Sequence, residues 1–137
     1  YNTLSDIKIW TDVWYGLSGK LGLKETGWIK NHLSGKLFRL GRLQFCMGRA
    51  LRDIHGYDVR QNDPVIEIHI PAEEKMRIED CKSSIAQARL FFSKFFPEYK
   101  YGCITCHSWL LDKNLAVFLG ENSNILKFQN LFDVVGF

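Results

Sequence analysis

Three titratable side chains lie within otherwise apolar stretches of the sequence: Glu67, His69 and His107. Glu67 and His69 are two positions apart in the stretch VIEIHI, so they share one face if this stretch is a strand. Burial raises the pKa of a carboxyl group, and an unshifted imidazole titrates at about pH 6.5. The three residues therefore predict acid–base chemistry, for which removal of a proton from an ammonium group is a suitable reaction.

Each of these residues also has a structural interpretation. The alternative for Glu67 is an ion pair with an arginine of a neighbouring strand, Arg39 or Arg42. The alternative for His69 and His107 is a hydrogen-bonded structural role, which is the more common one for a histidine in a strand. The sequence leaves both interpretations open.

Two weaker motifs lie close to His107. Cys103 and Cys106 form a C-x-x-C, but strand periodicity points them to opposite faces and no second Cys/His pair has matching spacing, so we expect no metal site. Cys106 and His107 are adjacent, and adjacent strand residues cannot form the hydrogen bond of a nucleophile and its base. Ser108 has no nucleophile-elbow pattern around it. We expect all four cysteines to be reduced core or near-core thiols.

These candidate residues lie on two predicted strands that flank a predicted helix. Residues 65–70 are β-branched and apolar at alternate positions between two prolines, which predicts a strand. A helical stripe that Pro97 ends is formed by Cys81, Ile85, Ala88, Phe92 and Phe95. Residues 103–111 predict a second buried strand. Two strands joined through a helix form a right-handed crossover with parallel strands, which requires helices on both faces of the sheet.

The first part of the chain predicts two helices and antiparallel strands. Residues 4–17 and 28–33 repeat apolar side chains at helical steps, and Gly35 predicts a left-handed cap after the second helix. Residues 37–45 alternate between two faces, which predicts one strand. Residues 50–59 predict its antiparallel partner or its continuation.

Beyond residue 111 the stretches with helical or strand-like spacing are short and follow one another closely. Asp112 predicts the cap of a short helix, and residues 125–132 are compatible with helical spacing. Residues 133–137 look like the start of a strand. Taken in order, the elements predict an α/β (α+β) fold with a mixed sheet, antiparallel at its start and parallel at its centre.

The composition indicates one folded domain, residues 1–137, with 46% hydrophobic residues available for a core. The net charge of +3 is spread along the chain without a basic run, so we expect no nucleic-acid partner. No apolar segment approaches the roughly 20 residues of a membrane helix, and no leader precedes the fold. We therefore expect a cytoplasmic protein without membrane contact. The start at Tyr1 and the strand-like end predict a fragment of a longer chain, truncated at both ends.

Three phrases of the sequence carry a family resemblance. They are GKLFRLGRLQF at residues 35–45, IEIHIP at residues 66–71, and CHSWLLD at residues 106–112 with SNILKFQ at residues 123–129 after it. Together they resemble the C-terminal domain of bacterial GNAT-like acyltransferases. The resemblance implies a GNAT-like mixed sheet around a parallel strand–helix–strand unit, and an N-terminal domain before it in the full-length chain.

The resemblance also implies a reaction, the transfer of an acyl group from acetyl-CoA or another acyl-CoA to a small-molecule amine. The donor would lie where the two parallel strands splay apart, with Glu67 as the base and His107 as a second catalytic residue at the gap. Ile68, Ile70, Lys75 and Arg77 would bind the acyl-CoA, and Arg42, Gln44, His69 and Ser108 would bind the acceptor.

Residues 72–80, which join the central strand to the long helix, depart from the family's phosphate-binding loop. That loop is a basic residue followed by spaced glycines, because close backbone approach to phosphate requires residues without a side chain. Residues 72–80 contain no glycine and carry four acidic against two basic residues. This departure favours a second hypothesis, a non-catalytic GNAT-like module that binds a ligand or packs on the N-terminal domain.

Overall fold

Four strands form one mixed sheet in the order β1-β2-β3-β4 in the computed structural model, which describes residues 5–24, 26–71 and 75–135. The strands are β1 (Leu37–Leu40), β2 (Leu43–Arg49), β3 (Pro64–His69) and β4 (Ile104–Cys106). β1, β2 and β3 pair in antiparallel fashion, and β3 and β4 pair in parallel. The structure therefore confirms the predicted α/β fold with a mixed sheet, but the parallel pair lies at one edge of the sheet and the central β2–β3 pair is antiparallel.

The helices are α1 (Ser5–Ser18), α2 (Thr26–Leu33), α3 (Ile78–Phe95) and α4 (Asn124–Gln129), with short 3-10 helices at Trp109–Leu111 and Lys113–Val117. The predicted helices before β1 and between β3 and β4 are confirmed. Gly35 has a φ of 66°, as expected for the cap after α2. The Asp112 side chain accepts a hydrogen bond from the Asn114 N–H, so its capping role is also confirmed, although the helix it begins is 3-10.

The main hydrophobic core lies between the sheet and α3. Phe45, Ile66 and Ile68 of the sheet pack against Ala88 and Phe92 of α3, and each of these side chains is buried. Burying a side chain of this size contributes about 1.5–3 kcal/mol, so this face fixes the position of β3 and of the long helix. α1 and α2 lie on the opposite face, where Asp6 contacts Gln44 of β2 and Trp28 contacts His69 of β3.

The prediction of one strand over residues 37–45 was wrong, because the chain reverses at Gly41 and Arg42. Phe38 pairs with Phe45 across a two-residue hairpin turn, so both lie on the α3 face. A continuous strand would have put them on opposite faces. Apolar alternation cannot reveal the reversal, because the pattern runs through the turn without a break.

Ser84 of α3 holds the hairpin turn. Its hydroxyl oxygen accepts a hydrogen bond from the Arg42 N–H at 2.8 Å and donates to the Asp80 carbonyl. Gly41 has a φ of 68°, and a Cβ at this position would lie 2.7 Å from the Ser84 hydroxyl oxygen. Glycine is therefore needed at this turn for both backbone conformation and space.

Three further expectations need correction. Residues 50–59 are not the strand partner of β2, which pairs with β3, and their only bridge among the described residues joins Ile54 and Val59. The predicted strand over residues 103–111 is confined to β4, after which the chain enters a 3-10 helix. Residues 133–135 are not in a strand, and residues 136–137 lie outside the described residues.

Candidate functional site

The sheet opens between β3 and β4. The two strands pair from Ile66 and Ile104 as far as Ile68 and Cys106, where the ladder ends. Pro71 follows β3 and has no N–H to donate, so it cannot extend the ladder. A gap therefore begins beyond Ile68 and Cys106, with His69 on one side and His107 on the other.

Side-chain hydrogen bonds turn the chain away from β3 after β4. The Ser108 hydroxyl oxygen accepts from the Leu110 N–H at 3.2 Å and so caps the first 3-10 helix. The Gln129 amide of α4 donates to the carbonyls of Leu110 and Asp112, both at 2.9 Å. These bonds satisfy the backbone locally and keep residues after Cys106 from pairing with β3.

Two clefts meet at the gap. Cleft A, of about 600 Å³, lies between the sheet and helices α1 and α2. Cleft B, of about 700 Å³, runs along β4 between α3 and residues 131–135. Both clefts are lined by Ile68, His107, Ser108 and Trp109, which are the residues at the opening between the strands. A ligand in one cleft can therefore reach a ligand in the other through the gap.

Cleft A has a largely apolar wall with histidines at one end. The apolar part is formed by Ile9, Trp10, Val13, Trp28, Ile70 and Leu110. His69 and His107 stand where cleft A meets the gap. This arrangement combines an apolar binding surface with groups that can transfer a proton.

His69 is the more enclosed of the two histidines. Burial lowers its pKa from the usual 6.5, and the nearby charge of His107 lowers this pKa further. The Trp28 ring meets the His69 ring edge-on, with centroids 4.6 Å apart, and His69 Nε2 lies 3.8 Å from Glu67 Oε2. The lowered pKa keeps His69 neutral at pH 7, the state in which an imidazole accepts a proton.

The lowered pKa of His69 predicts a loss of stability in acid. The unfolded chain binds a proton at His69 near pH 6.5, whereas the folded chain binds it only at lower pH. The free energy of unfolding should therefore fall as the pH drops from 6.5 through the folded pKa. Urea denaturation at several pH values, compared between wild type and His69→Gln, measures this contribution. Equal pH dependence in the two proteins would contradict the prediction.

Glu67 lies beside the gap, among residues of β2. Its side chain is 26% exposed, and it faces Gly48, where an added Cβ would lie 2.3 Å from Glu67 Oε1. Among the described residues, Glu67 lines neither cleft, so it reaches the gap through His69. Glu67, the predicted base, therefore lies behind His69 and is not part of the cleft surface.

Gly48→Ala should therefore displace Glu67 without unfolding the protein. The new methyl group would overlap the flexible end of the Glu67 side chain, which must move away from its present position near His69. We expect turnover in the reaction proposed below to fall between about tenfold and about 10²-fold, since misplacement by about 1 Å can have such effects. Gly16→Ala is the matched control, because a Cβ at residue 16 meets nothing within 4 Å. Unchanged turnover in Gly48→Ala would show that the Glu67 position is unimportant.

The other predicted site residues fall into two groups. At the clefts are Ile68, Ile70, Gln44, His69 and Ser108, although Gln44 is buried and donates to Asp6 and Ser108 acts as a helix cap. Away from both clefts are Arg42, Lys75 and Arg77. Arg42 Nε donates to the Lys75 carbonyl, and Arg77 forms an ion pair of 2.7 Å with Asp80.

Several cleft residues were not identified from the sequence. Asp6 lies near the start of the first predicted helix; it is 3% exposed and lines cleft A. Trp28 lies in the second predicted helix, and its ring contacts His69. Arg89 of α3 lines cleft B. The signal that was available for Asp6 was an acidic residue followed by an apolar stretch, which also describes an ordinary helix N-terminus.

The cysteines have the properties of buried thiols. Burial raises the pKa of Cys106 to about 12 and, together with the charge of Glu67, raises that of Cys46 to about 11. Thiols in this state are poor nucleophiles at neutral pH. Across the described ranges, no group of three or more Cys, His, Asp or Glu residues could hold a metal ion. The same ranges contain no helix that is long and apolar enough to span a membrane.

A mixed sheet that opens between two parallel strands joined by a long helix is the architecture of GNAT-type acyltransferases, and this chain has it. A family model described as the GNAT-like C-terminal domain matches residues 37–137. The chain belongs to this family. A search of curated proteins found no match.

Solved structures of acyltransferases are similar to this chain. An acyltransferase in complex with decanoyl-CoA and teicoplanin is 30% identical with a TM-score of 0.79, and the match covers 94% of this chain and 38% of that one. An acyltransferase with CoA and 10C-teicoplanin is 29% identical with a TM-score of 0.78, and a mutant with octanoyl-CoA has the same values; both matches have the same coverage. This chain therefore spans 38% of the length of these acyltransferases.

Proposed function

We propose that this chain is the acyl-CoA-binding domain of an N-acyltransferase that transfers an acyl group to a small-molecule amine. The observation that carries the proposal is the gap beyond Ile68 and Cys106, where two clefts meet beside two histidines. Similar acyltransferases were solved with acyl-CoA, which supports an acyl-CoA donor here. Teicoplanin in one of them supports an acceptor larger than a simple amine.

The pantetheine arm of the donor would pass through the gap. The β3–β4 pairing ends at Ile68 and Cys106, so His69 and Ile70 do not pair with β4, and His107 does not pair with β3. A ligand that contains amide groups can therefore hydrogen-bond to this backbone as a strand would. Ile68 and Ile70 then contact the arm, in the role that the resemblance gives them. The thioester carbon would lie between the two histidines.

We assign the first proton transfer to His69. Its neutral imidazole removes a proton from the ammonium form of the acceptor, and Glu67, 3.8 Å away, stabilises the resulting imidazolium by charge. The amine nitrogen then bonds to the thioester carbon, the carbon–sulfur bond breaks, and CoA leaves as the thiol. The nitrogen loses its second proton as the amide forms, and His107, on the other side of the gap, is suited to relay that proton to the sulfur. Glu67 therefore supports the base and does not contact the acceptor itself.

The acyl chain would occupy cleft A. A cleft of about 600 Å³ with an apolar wall of Ile9, Trp10, Val13 and Trp28 is far larger than an acetyl group requires. The decanoyl and octanoyl ligands of the similar acyltransferases support the same assignment. We therefore propose a medium-chain acyl donor in place of acetyl-CoA.

We also propose that the chain acts together with an N-terminal domain. The family is described as a C-terminal domain, and the similar acyltransferases are longer than this chain, which supports a second domain. A non-catalytic module is the second candidate function. Residues 72–80 favour it, because they contain no glycine and Arg77 is paired with Asp80.

Calorimetric titration of the full-length protein with acetyl-, octanoyl- and decanoyl-CoA separates the two candidates. The enzyme proposal predicts binding of at least one donor, followed by release of CoA thiol when an amine acceptor is added. The absence of binding at about 1 mM of every donor would contradict it. Binding without turnover over a panel of amines would favour the non-catalytic module.

A further inference from the structure

Asp6 is a buried carboxyl group at the bottom of cleft A, and three side chains from two other elements meet one of its oxygens. Oδ2 accepts from Gln44 Nε2 at 2.6 Å and from Trp28 Nε1 at 3.1 Å, and lies 2.9 Å from His32 Nε2. A buried carboxyl group without partners would be strongly unfavourable, so these contacts hold α1, α2 and β2 in one arrangement.

Two of the three partners of Asp6 also flank His69. Trp28 meets the His69 ring edge-on with centroids 4.6 Å apart, and Gln44 is the cross-strand neighbour of His69 in the β2–β3 pairing. The indole N–H bond to Asp6 fixes the rotation of the Trp28 ring, and the amide bond fixes the Gln44 side chain. Asp6 therefore controls the two surfaces that confine the His69 ring.

We propose that Asp6 is a positioning residue that holds the His69 imidazole in the orientation it needs at the gap, acting through Trp28 and Gln44. This inference rests on the proposed function for its catalytic consequence. The geometric part, that Asp6 sets the orientation of the His69 ring, does not. Asp6 itself is not assigned to any reacting atom.

Asp6→Asn in the full-length protein tests the inference, because it keeps the side-chain size and removes the charge that binds three partners. We expect kcat at saturating decanoyl-CoA to fall at least about tenfold. KM for decanoyl-CoA should rise as well, because Trp28 also lines the cleft proposed for the acyl chain. We also expect the ring-nitrogen NMR signals of His69, identified by comparison with His69→Gln, to shift. Asp12→Asn is the matched control, since Asp12 lies exposed on the same helix and pairs with Lys8.

The NMR result separates this inference from the proposed function. Absence of turnover in wild type, with shifted His69 signals in Asp6→Asn, would contradict the function and retain the positioning role. Unchanged His69 signals in a folded Asp6→Asn protein would overturn the positioning role, whatever its activity.

If Asp6→Asn does not fold, Gln44→Met tests the same link, because it keeps the length of the side chain beside His69 and removes the amide that donates to Asp6. We expect it to shift the His69 signals as well, and unchanged signals would overturn the inference.

Discussion

His69→Gln is expected to lower kcat by about 10²-fold to about 10⁴-fold, the contribution that a positioned base usually makes. The physical reason is that His69 lies at the gap with a lowered pKa and is therefore neutral at pH 7. Glutamine has a similar shape and can hydrogen-bond, but it cannot take up a proton. KM for the acyl-CoA should change much less than kcat, because the pantetheine arm would contact the backbone of residue 69 and the apolar wall of cleft A is unaltered. Steady-state kinetics with a saturating acceptor measures both quantities.

Glu67→Gln distinguishes two roles for Glu67: the general base itself, or a charge that stabilises the imidazolium of His69. If Glu67 only stabilises the imidazolium, we expect its loss to lower kcat by a smaller factor than the loss of His69. The acid limb of the kcat/KM profile should lie below pH 6.5 in wild type, since the pKa of His69 is lowered. A larger effect from Glu67→Gln than from His69→Gln would show that Glu67 is the base. His55→Gln is the control, because His55 is exposed and lines neither cleft.

Decanoyl-CoA is expected to bind at least about 200-fold more tightly than acetyl-CoA. Its chain has about eight additional methylene groups, and each buried methylene contributes about 0.8 kcal/mol. Burial of about half of them in cleft A already accounts for a factor of about 200. Competition calorimetry with an acyl-CoA series measures the increment for each methylene. Equal affinity for acetyl-CoA and decanoyl-CoA would show that the acyl chain does not enter an apolar cleft.

A substitution in the wall of cleft A tests where the acyl chain lies. Val13 of α1 lines cleft A, so Val13→Trp should fill part of it and reduce the affinity for decanoyl-CoA while leaving that for acetyl-CoA unchanged. Leu17→Trp is the control on the same helix, because Leu17 is 80% exposed and does not line the cleft. The same loss in both variants would contradict the assignment of the acyl chain to cleft A.

Local sequence patterns predicted the elements that carry the site. The alternation in residues 65–70 identified β3, and because side chains alternate between faces, it also placed Glu67 and His69 together. The helical stripe ending before Pro97 identified α3. These predictions succeeded because each depends on the period of one element and on its contact with a single core.

Features that depend on contacts between distant parts of the chain were not predicted. The hairpin at Gly41 is held by Ser84, which is more than 40 residues away, and apolar alternation continues through the turn. The strand after residue 103 is short because Gln129 and Ser108 bind the backbone that would otherwise extend it. In both cases side-chain hydrogen bonds from other elements override the local pattern.

The sequence by itself determined the parallel strand–helix–strand unit and the shared face of Glu67 and His69, because both follow from local periodicity. Only the tertiary structure decided where the strands separate, which residues line the clefts, and that Asp6 joins Trp28 and Gln44 beside His69. Contacts of this kind link residues across 22 and 38 positions, and no local period encodes them.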